Sequence, residues 1–455
     1  MPASLTGTQT ASISAVGHKP PPPVEVSMAF RAVKGMNDIL PDEVQAWHFV
    51  ENLFRETVRR HGYSEVRTPV VESTSLFVRS IGETTDVVDK EMYTFDRHDD
   101  SLTLRPEGTA GAARAYVEHA VQAKEPVSRW YYIGPMFRAE RPQRGRYRQF
   151  YQAGCEIYGD KGPIADAEMI TMLVDFLGSI GIAGLEVKIN SLGGGDTRER
   201  YRTALSDYFR PLCEQLSEHA RERLEANPLR ILDSKDPRDQ AVAAGAPSIL
   251  DSLAPEDKDH FSELCACLDT LGTPYRVEPR LVRGLDYYTR TLFEIVSTAG
   301  DLGSQNALVG GGRYDNMVHE LGGPKVPAIG FAMGLERLLL AIANQPPAVQ
   351  THCFFAPLGA AAARRSLVLA RELRQKSFIV EVDGRGGSLK SMLRRADSLQ
   401  ACCAVVIGDN ELANDSAVLK DLKQHTQRAI DLSSLPDAVA ELVQGSQTEG
   451  AGEST

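Results

Sequence analysis

No stretch of the chain approaches the roughly 18 uninterrupted apolar residues that a membrane-spanning helix needs. No apolar h-region opens the sequence, so a secretory signal is not expected. Positive charge is not in excess: 50 Lys and Arg stand against 61 Asp and Glu, a net charge of −11. A uniformly basic nucleic-acid coat is therefore excluded, and any nucleic acid must meet local positive patches on an acidic body. None of the seven cysteines forms a Cys-x-x-Cys pair, and no His/Cys run has zinc-site spacing. The thiols are expected to be reduced and mostly buried, as in a cytosolic protein, with Cys265 and Cys267 of LCACL in the core. There is no G-x-x-x-x-G-K-[ST], no G-x-G-x-x-G after a strand, no H-E-x-x-H and no G-x-S-x-G.

What remains is 42% hydrophobic and 24% charged, an ordinary soluble composition. The 455 residues suggest about two to four domains. Residues 1–27 are rich in Ser, Thr, Ala and Pro, without hydrophobic periodicity, and are expected to be disordered or, with Met28 as the start, untranslated. A helix is predicted over 42–61, where Trp47, Val50, Phe54 and Val58 recur at helical spacing. The run YSEVRTPVVE (63–72) reads as a strand with Pro69 inside it, which favours an edge or an interface. Residues 90–160 are mostly strand-like with a helix near 109–121. A helix at 162–181 and a strand at 186–190 follow. The stretch 196–272 is charged, helical in pattern and broken by Asn227-Pro228, Asp236-Pro237 and Ala254-Pro255, and reads as an inserted helical module. Strands are expected at 275–296 and 327–332, and a helix at 337–343. After the linker 345–350, strands and helices alternate in the βαβ rhythm of a small parallel-sheet domain ending near 445, with a polar tail at 446–455.

Five arginines and one acid, Glu140, lie between Arg138 and Arg148, with Pro142 and Gly145 marking a loop. Such a cluster in an acidic chain suits phosphates, which the guanidinium fork meets bidentately; a solvated charge run paired with acids elsewhere is the plainer alternative. In the strand that follows, Gln152, Gly154 and Glu156 share one face, the outer two about 13–14 Å apart. That face could hold a cationic small molecule beside a polyphosphate, or simply meet solvent. In LTLRPEGTAG, Glu107 and Thr109 stand at a helix start, which also suits plain N-capping by Thr109. LVRGLDYYTRTLFEIV brings Arg283, then Tyr287 and Tyr288 into an alternating strand. The run Gly310–Gly312 reads alone as a tight turn. Arg337 falls in the first turn of a helix, where it opposes the macrodipole and so points to an anionic ligand or an ion pair.

Together these blocks closely resemble the histidyl-tRNA synthetases, class II aminoacyl-tRNA synthetases of the bacterial type. The resemblance runs from Met28 to about 443. The segment around Pro69 is similar to motif 1, 130–159 to motif 2 and 327–342 to motif 3. LVRGLDYYTRT and GGGRYDNMVHELGG are similar to the two histidine-specific motifs. The resemblance implies an α+β fold: an antiparallel sheet core flanked by helices over 28–345, a helical insertion about 196–272, and a C-terminal α/β anticodon-binding domain over 351–445. It implies activation of L-histidine with ATP to histidyl-adenylate, then transfer to the 3′ end of the tRNA. Mg2+ would come with ATP, and no protein metal site is expected. By the same resemblance Arg138 and Arg283 are catalytic. Glu107, Thr109, Arg138, Gln152, Glu156, Arg283, Tyr287, Tyr288 and Tyr314 bind histidine. Arg138, Glu140, Arg146 and Arg337 bind ATP. Arg141 and Gln143 match positions near the acceptor end of the tRNA. Arg385, Lys390, Arg394 and Arg395, in a stretch with no acid between 384 and 396, look like a phosphate-tracking patch, or a solvated helix face. A cytoplasmic homodimer is implied. The rivals are a non-catalytic synthetase-like regulatory subunit of histidine biosynthesis and a class II enzyme of another specificity. Class I is excluded by the lack of its HIGH-like and KMSKS-like sequences.

Overall fold

The computed structural model describes residues 30–83, 85–298, 306–342 and 350–450, with side chains to 444. The expected disordered segment 1–27, most of the linker at 345–350 and residues 451–455 lie outside that range. Two compact units are formed, one of residues 30–39 and 56–341, the other of 40–55 and 342–450.

The first predicted helix is α1 (Val44–Arg60); Asp42 and Glu43 lie in the turn before it, and Arg59 and Arg60 close its last turn. Trp47, Val50, Phe54 and Val58 are all buried. Gly62 ends it at φ +79°, a left-handed position that suits glycine. The expected single strand at 63–72 is instead two short strands in different sheets, β1 (Ser64–Glu65) and β2 (Val71–Ser73). Pro69 lies between them, where its missing N–H costs no ladder bond. After α2 (Thr74–Ile81), β3 (Tyr93–Arg97) and β4 (Asp100–Leu104) complete a three-stranded antiparallel sheet with β2.

Next come α3 (Thr109–Glu118), β5 (Ser128–Phe137), β6 (Gln149–Tyr158), α4 (Pro163–Ser179) and β7 (Leu185–Ser191). The charged stretch after them carries α5 (Thr197–Phe209), α6 (Glu218–Ala226), α7 (Pro237–Ala243) and α8 (Pro255–Leu271). The three X-Pro dipeptides mark helix boundaries: Asn227 follows α6, and Pro237 and Pro255 open α7 and α8, where proline lacks only an N–H that would go unpaired anyway. The chain returns through β8 (Arg276–Val277), β9 (Thr289–Ser297), β10 (Ala307–Arg313), α9 (Met317–Glu320), β11 (Ala328–Gly334) and α10 (Leu335–Ala341).

The large sheet has the order β1-β5-β6-β11-β10-β9-β7-β8. Its six central strands are antiparallel, and the two-residue edge strands β1 and β8 pair in parallel. The α+β architecture implied by the resemblance is thus observed. Two local expectations are corrected. The strand predicted over 275–296 is interrupted, so Tyr287 and Tyr288 precede β9 rather than entering it. Gly310–Gly312 is not a turn but the middle of β10, flanked on both sides by β9 and β11.

The second unit contains β12 (Cys353–Pro357), α11 (Ala360–Gln375), β13 (Val380–Val382), α12 (Leu389–Ser398), β14 (Cys403–Ile407), α13 (Asp409–Ala413), β15 (Ser416–Asp421), β16 (Thr426–Asp431) and α14 (Leu435–Gly450). Its sheet, β13-β12-β14-β15-β16, is mixed rather than parallel, because β15 and β16 add an antiparallel hairpin. β12 and β14 are buried along their whole length, as doubly covered parallel strands are. The tail expected from 446 is helical to Gly450. All seven cysteines are free thiols, four buried and three partly so; Cys265 and Cys267 are in the latter group.

Candidate functional site

One face of the large sheet carries a cavity of about 510 Å³. Eleven of the residues singled out in the sequence line it: Glu107, Thr109, Arg138, Glu140, Arg146, Gln152, Arg283, Tyr287, Tyr288, Tyr314 and Arg337. Glu156 does not; it is fully covered, behind Tyr132 and Tyr314. Arg141 and Gln143 are exposed, in the loop between β5 and β6, outside the lining. That loop is closed by paired backbone bonds between Gln143 and Arg146.

One end of the cavity is cationic. Arg138 leaves β5 with its Nε donating to the Pro106 carbonyl at 2.9 Å and its guanidinium 5.4 Å from the centre of the Phe150 ring. Arg146 is paired with Glu140 at 2.9 Å. Arg283 donates from Nη1 to Glu294 Oε1 at 2.6 Å. Gly310 makes room for it: a Cβ there would overlap the Arg283 guanidinium. The glycine run in β10 thus serves close approach rather than a turn. Arg337 is the third residue of α10, and its donors reach the carbonyls of Gly145 and Ala307. Burial, followed by the neighbouring Arg146, lowers its pKa. Four guanidiniums around one cavity call for an anionic ligand.

The other end is built of buried hydroxyls and carboxyls. Glu107, not Thr109, caps α3: its two oxygens accept from the backbone N–H groups of Thr109 (2.7 Å) and Ala110 (2.8 Å). Burial nevertheless raises its pKa. The Glu156 carboxyl accepts from Tyr132 at 3.1 Å and from Tyr314 at 2.5 Å. Burial outweighs these bonds and pushes its pKa up to about 8. Gly330, facing Glu156 across the β6–β11 ladder, leaves space that a Cβ would take from the Glu156 carboxylate. The Tyr287 ring lies 4.6 Å from that of Tyr288 and 5.7 Å from that of Tyr314. Gln152 is 8% exposed, and its side-chain oxygen has no hydrogen-bond partner among the described residues. A buried amide oxygen facing a cavity is a ready acceptor for a ligand N–H.

Several lining residues escaped the sequence reading. Glu294 was visible as the lone acid in the apolar strand TLFEIV. Tyr132, which lies outside the lining but donates to Glu156, was one of two adjacent tyrosines in β5 with nothing local to distinguish it. Asp233 and Lys235 reach the cavity from the insertion, and no short-range pattern marks them. Glu336 holds the backbone N–H of Tyr151 at 2.9 Å, and burial raises its pKa to about 7.

In the second unit, two of the four basic residues are already paired. Arg385 meets Asp383 at 2.7 Å and Arg395 meets Glu381, both acids lying just before the acid-free stretch. Lys390 and Arg394 are exposed, one turn apart on α12.

Residues 35–338 match the family model described as "Histidyl-tRNA synthetase". The chain belongs to the histidyl-tRNA synthetase family. Residues 352–442 match the model described as "Anticodon binding domain". A histidine–tRNA ligase of Sorangium cellulosum is 59% identical over 414 residues, which cover 91% of this chain and 97% of the relative. Another, of Syntrophotalea carbinolica, is 46% identical over 422 residues, covering 92% and 100%. The solved structure of apo histidyl-tRNA synthetase from S. aureus superposes with a TM-score of 0.76 at 35% identity, covering 90% of this chain and 100% of that one. A Bacillus halodurans protein described as an ATP phosphoribosyltransferase regulatory subunit/histidyl-tRNA synthetase reaches a TM-score of 0.62 at 22% identity, covering 84% and 98%, a likeness of fold alone.

Proposed function

We propose that the protein is an ATP-dependent ligase that joins L-histidine to its tRNA. The observation that carries this reading is one cavity with four arginines at one end and a buried carboxyl–tyrosine cluster at the other. Arg138 bridges the histidine carboxylate and the α-phosphate of ATP, and Arg283 stabilises charge at that phosphorus as the carboxylate attacks and pyrophosphate leaves. Arg337 holds the γ-phosphate, while Glu140 and Arg146 orient the nucleotide. Fixed cations aimed at developing negative charge, with both reactants held in place, supply the rate. Glu107, Thr109 and Gln152 hold the α-amino group. Tyr288 and the Glu156–Tyr314 pair read the imidazole edge, with Tyr287 packed against them. Mg2+ would enter with ATP, held by phosphate oxygens and at most one or two carboxylates of the lining.

The regulatory-subunit reading is not favoured, since the anticodon-binding match and both histidine-specific blocks are present. A homodimer in the cytoplasm is part of the proposal. Val70 and Val71, each over a third exposed beside Pro69, suit a second copy. No helix among the described residues is long and apolar enough to cross a membrane.

Arg141 and Gln143 are assigned to the acceptor end, and Lys390 and Arg394, with Arg385 and Arg395 beside them, to tRNA phosphates. Aminoacylation of bulk tRNA with labelled histidine is expected to be ATP-dependent. Replacing Lys390 and Arg394 together by alanine should raise the KM for tRNA about tenfold at low salt and flatten its salt dependence. Histidine-dependent pyrophosphate exchange should be unchanged in that variant. An unaltered KM for tRNA would remove this patch from the tRNA interface.

A further inference from the structure

Residues 281–288, between β8 and β9, belong to no helix or strand. Arg283, Tyr287 and Tyr288 therefore need another means of being held. The Asp286 N–H donates to the Ile81 carbonyl at 3.1 Å. Asn190 of β7 donates to the Leu281 carbonyl at 3.0 Å, and Glu294 of β9 takes the Arg283 guanidinium. The side-chain bonds to Gly284 and Asp286, between Arg283 and the tyrosines, come from the insertion. Arg198, on α5, donates to the Asp286 carbonyl at 2.5 Å. Asn227 Nδ2, just after α6, donates to Asp286 Oδ1 at 3.1 Å. Arg230 donates to the Gly284 carbonyl at 2.7 Å and stands 3.6 Å from Asp286 Oδ1, as Arg198 does. Both side chains of the Arg230–Asp286 pair are largely shielded, 15% and 24% exposed.

A second tie lies on the far side of the tyrosines. Arg290 adopts φ +43°, a left-handed conformation unusual for a side chain of its size. Its Nε donates at 3.0 Å to Asp257 of α8, which is fully covered and also accepts from the Gly194 N–H at 2.8 Å. The apolar packing is continuous as well: Leu205, Phe209 and Leu224 of the insertion share one buried cluster with Tyr287, Tyr288 and Tyr314. Asp233 and Lys235 of the insertion line the cavity itself.

We propose that the insertion is a structural part of the amino-acid site, with Arg198, Asn227 and Arg230 as positioning residues that set Arg283, Tyr287 and Tyr288 through Asp286 and Gly284. The proposal rests on the function proposed above. Its test uses the full-length chain and two readouts. In Arg230→Ala, backbone amides over 283–290 exchange with deuterium faster than in the wild type. In pyrophosphate exchange the same variant raises the KM for histidine about tenfold or more and the KM for ATP less than about twofold, because the displaced tyrosines face the amino acid. Arg230→Lys restores part of the loss. Adding Asp286→Ala to Arg230→Ala costs less than Asp286→Ala does alone, since the two act as one unit. Asn227→Ala, which leaves both guanidiniums in place, gives a smaller change of the same sign and serves should Arg230→Ala fold poorly. Unchanged amide exchange with an unchanged KM for histidine would overturn the proposal. An equal rise in both KM values with a lowered Tm would do the same, since it marks general loosening. The amide readout needs no catalysis, so a wild type that activates no histidine would count against the functional reading alone.

Discussion

Arg283→Ala is expected to lower the rate of histidine-dependent pyrophosphate exchange by about 10²–10³-fold, the usual cost of removing one preorganised group that meets transition-state charge. The fold should survive, because Arg283 is about a quarter exposed and lies in the lining rather than the core. Two further variants separate charge from geometry. Arg283→Lys keeps the charge but loses the planar fork, so it should recover only part of the rate. Gly310→Ala leaves Arg283 in the chain and puts a Cβ where its guanidinium sits. It should therefore approach the rate of Arg283→Ala while binding ATP with a similar KM. A rate within about threefold of wild type in Arg283→Ala, well short of the oxyanion-type range, would remove the catalytic role. In that variant Glu294 loses the partner it holds at 2.6 Å, so Glu294→Gln in the same background should relieve repulsion toward ATP.

The second large effect concerns Glu156. Glu156→Gln should raise the KM for histidine about 10²-fold, since a ring N–H of bound histidine favours the ionised form of Glu156 and glutamine removes that charge-assisted bond. Its effect on stability runs the other way. Burial raises the Glu156 pKa from 4.5 to about 8 in the folded state. Below about pH 4.5 both states hold the proton, and the carboxyl contributes no pH dependence. Between there and about pH 8 the folded state keeps a proton that the unfolded chain has released. Stability therefore falls as pH rises through this window. Glutamine does not titrate, so the variant escapes the loss. Without ligand, the Tm of Glu156→Gln relative to wild type should rise steadily from about pH 5 to about pH 8.5. A Tm difference that stays constant across that range would show that Glu156 ionises normally in its buried place. Glu336, also raised by burial but untouched by this substitution, acts as an internal reference.

Local pattern carried the elements that are locally determined. Trp47, Val50, Phe54 and Val58 have helical spacing, and α1 follows it. The prolines at 237 and 255 mark helix starts by their own geometry. Elements that depend on partners were less legible. Gly310–Gly312 looks like a turn because glycine is permissive, yet in the sheet it leaves space for Arg283, a demand set by a residue 27 positions earlier. Residues 281–288 alternate like a strand but have no ladder; their polar groups are taken up by Asn190, Ile81 and, at Gly284 and Asp286, the insertion. The β15–β16 hairpin was missed because its outer strand is largely exposed and polar. At the candidate site, residue types and order carried most of the information, and eleven named side chains do share one cavity. Glu156 was expected to face a ligand directly, but the hydroxyls of Tyr132, on β5, and Tyr314, just after β10, cover it. The basic stretch at 385–395 looked unopposed only because Glu381 and Asp383 lie just outside it.

The cavity is proposed to activate one amino acid with ATP. Pyrophosphate–ATP exchange, measured with each of the standard amino acids in turn, tests it without tRNA and without any variant. Exchange is expected with histidine and none above background with the others. Exchange with no amino acid, or with one other than histidine, would contradict it.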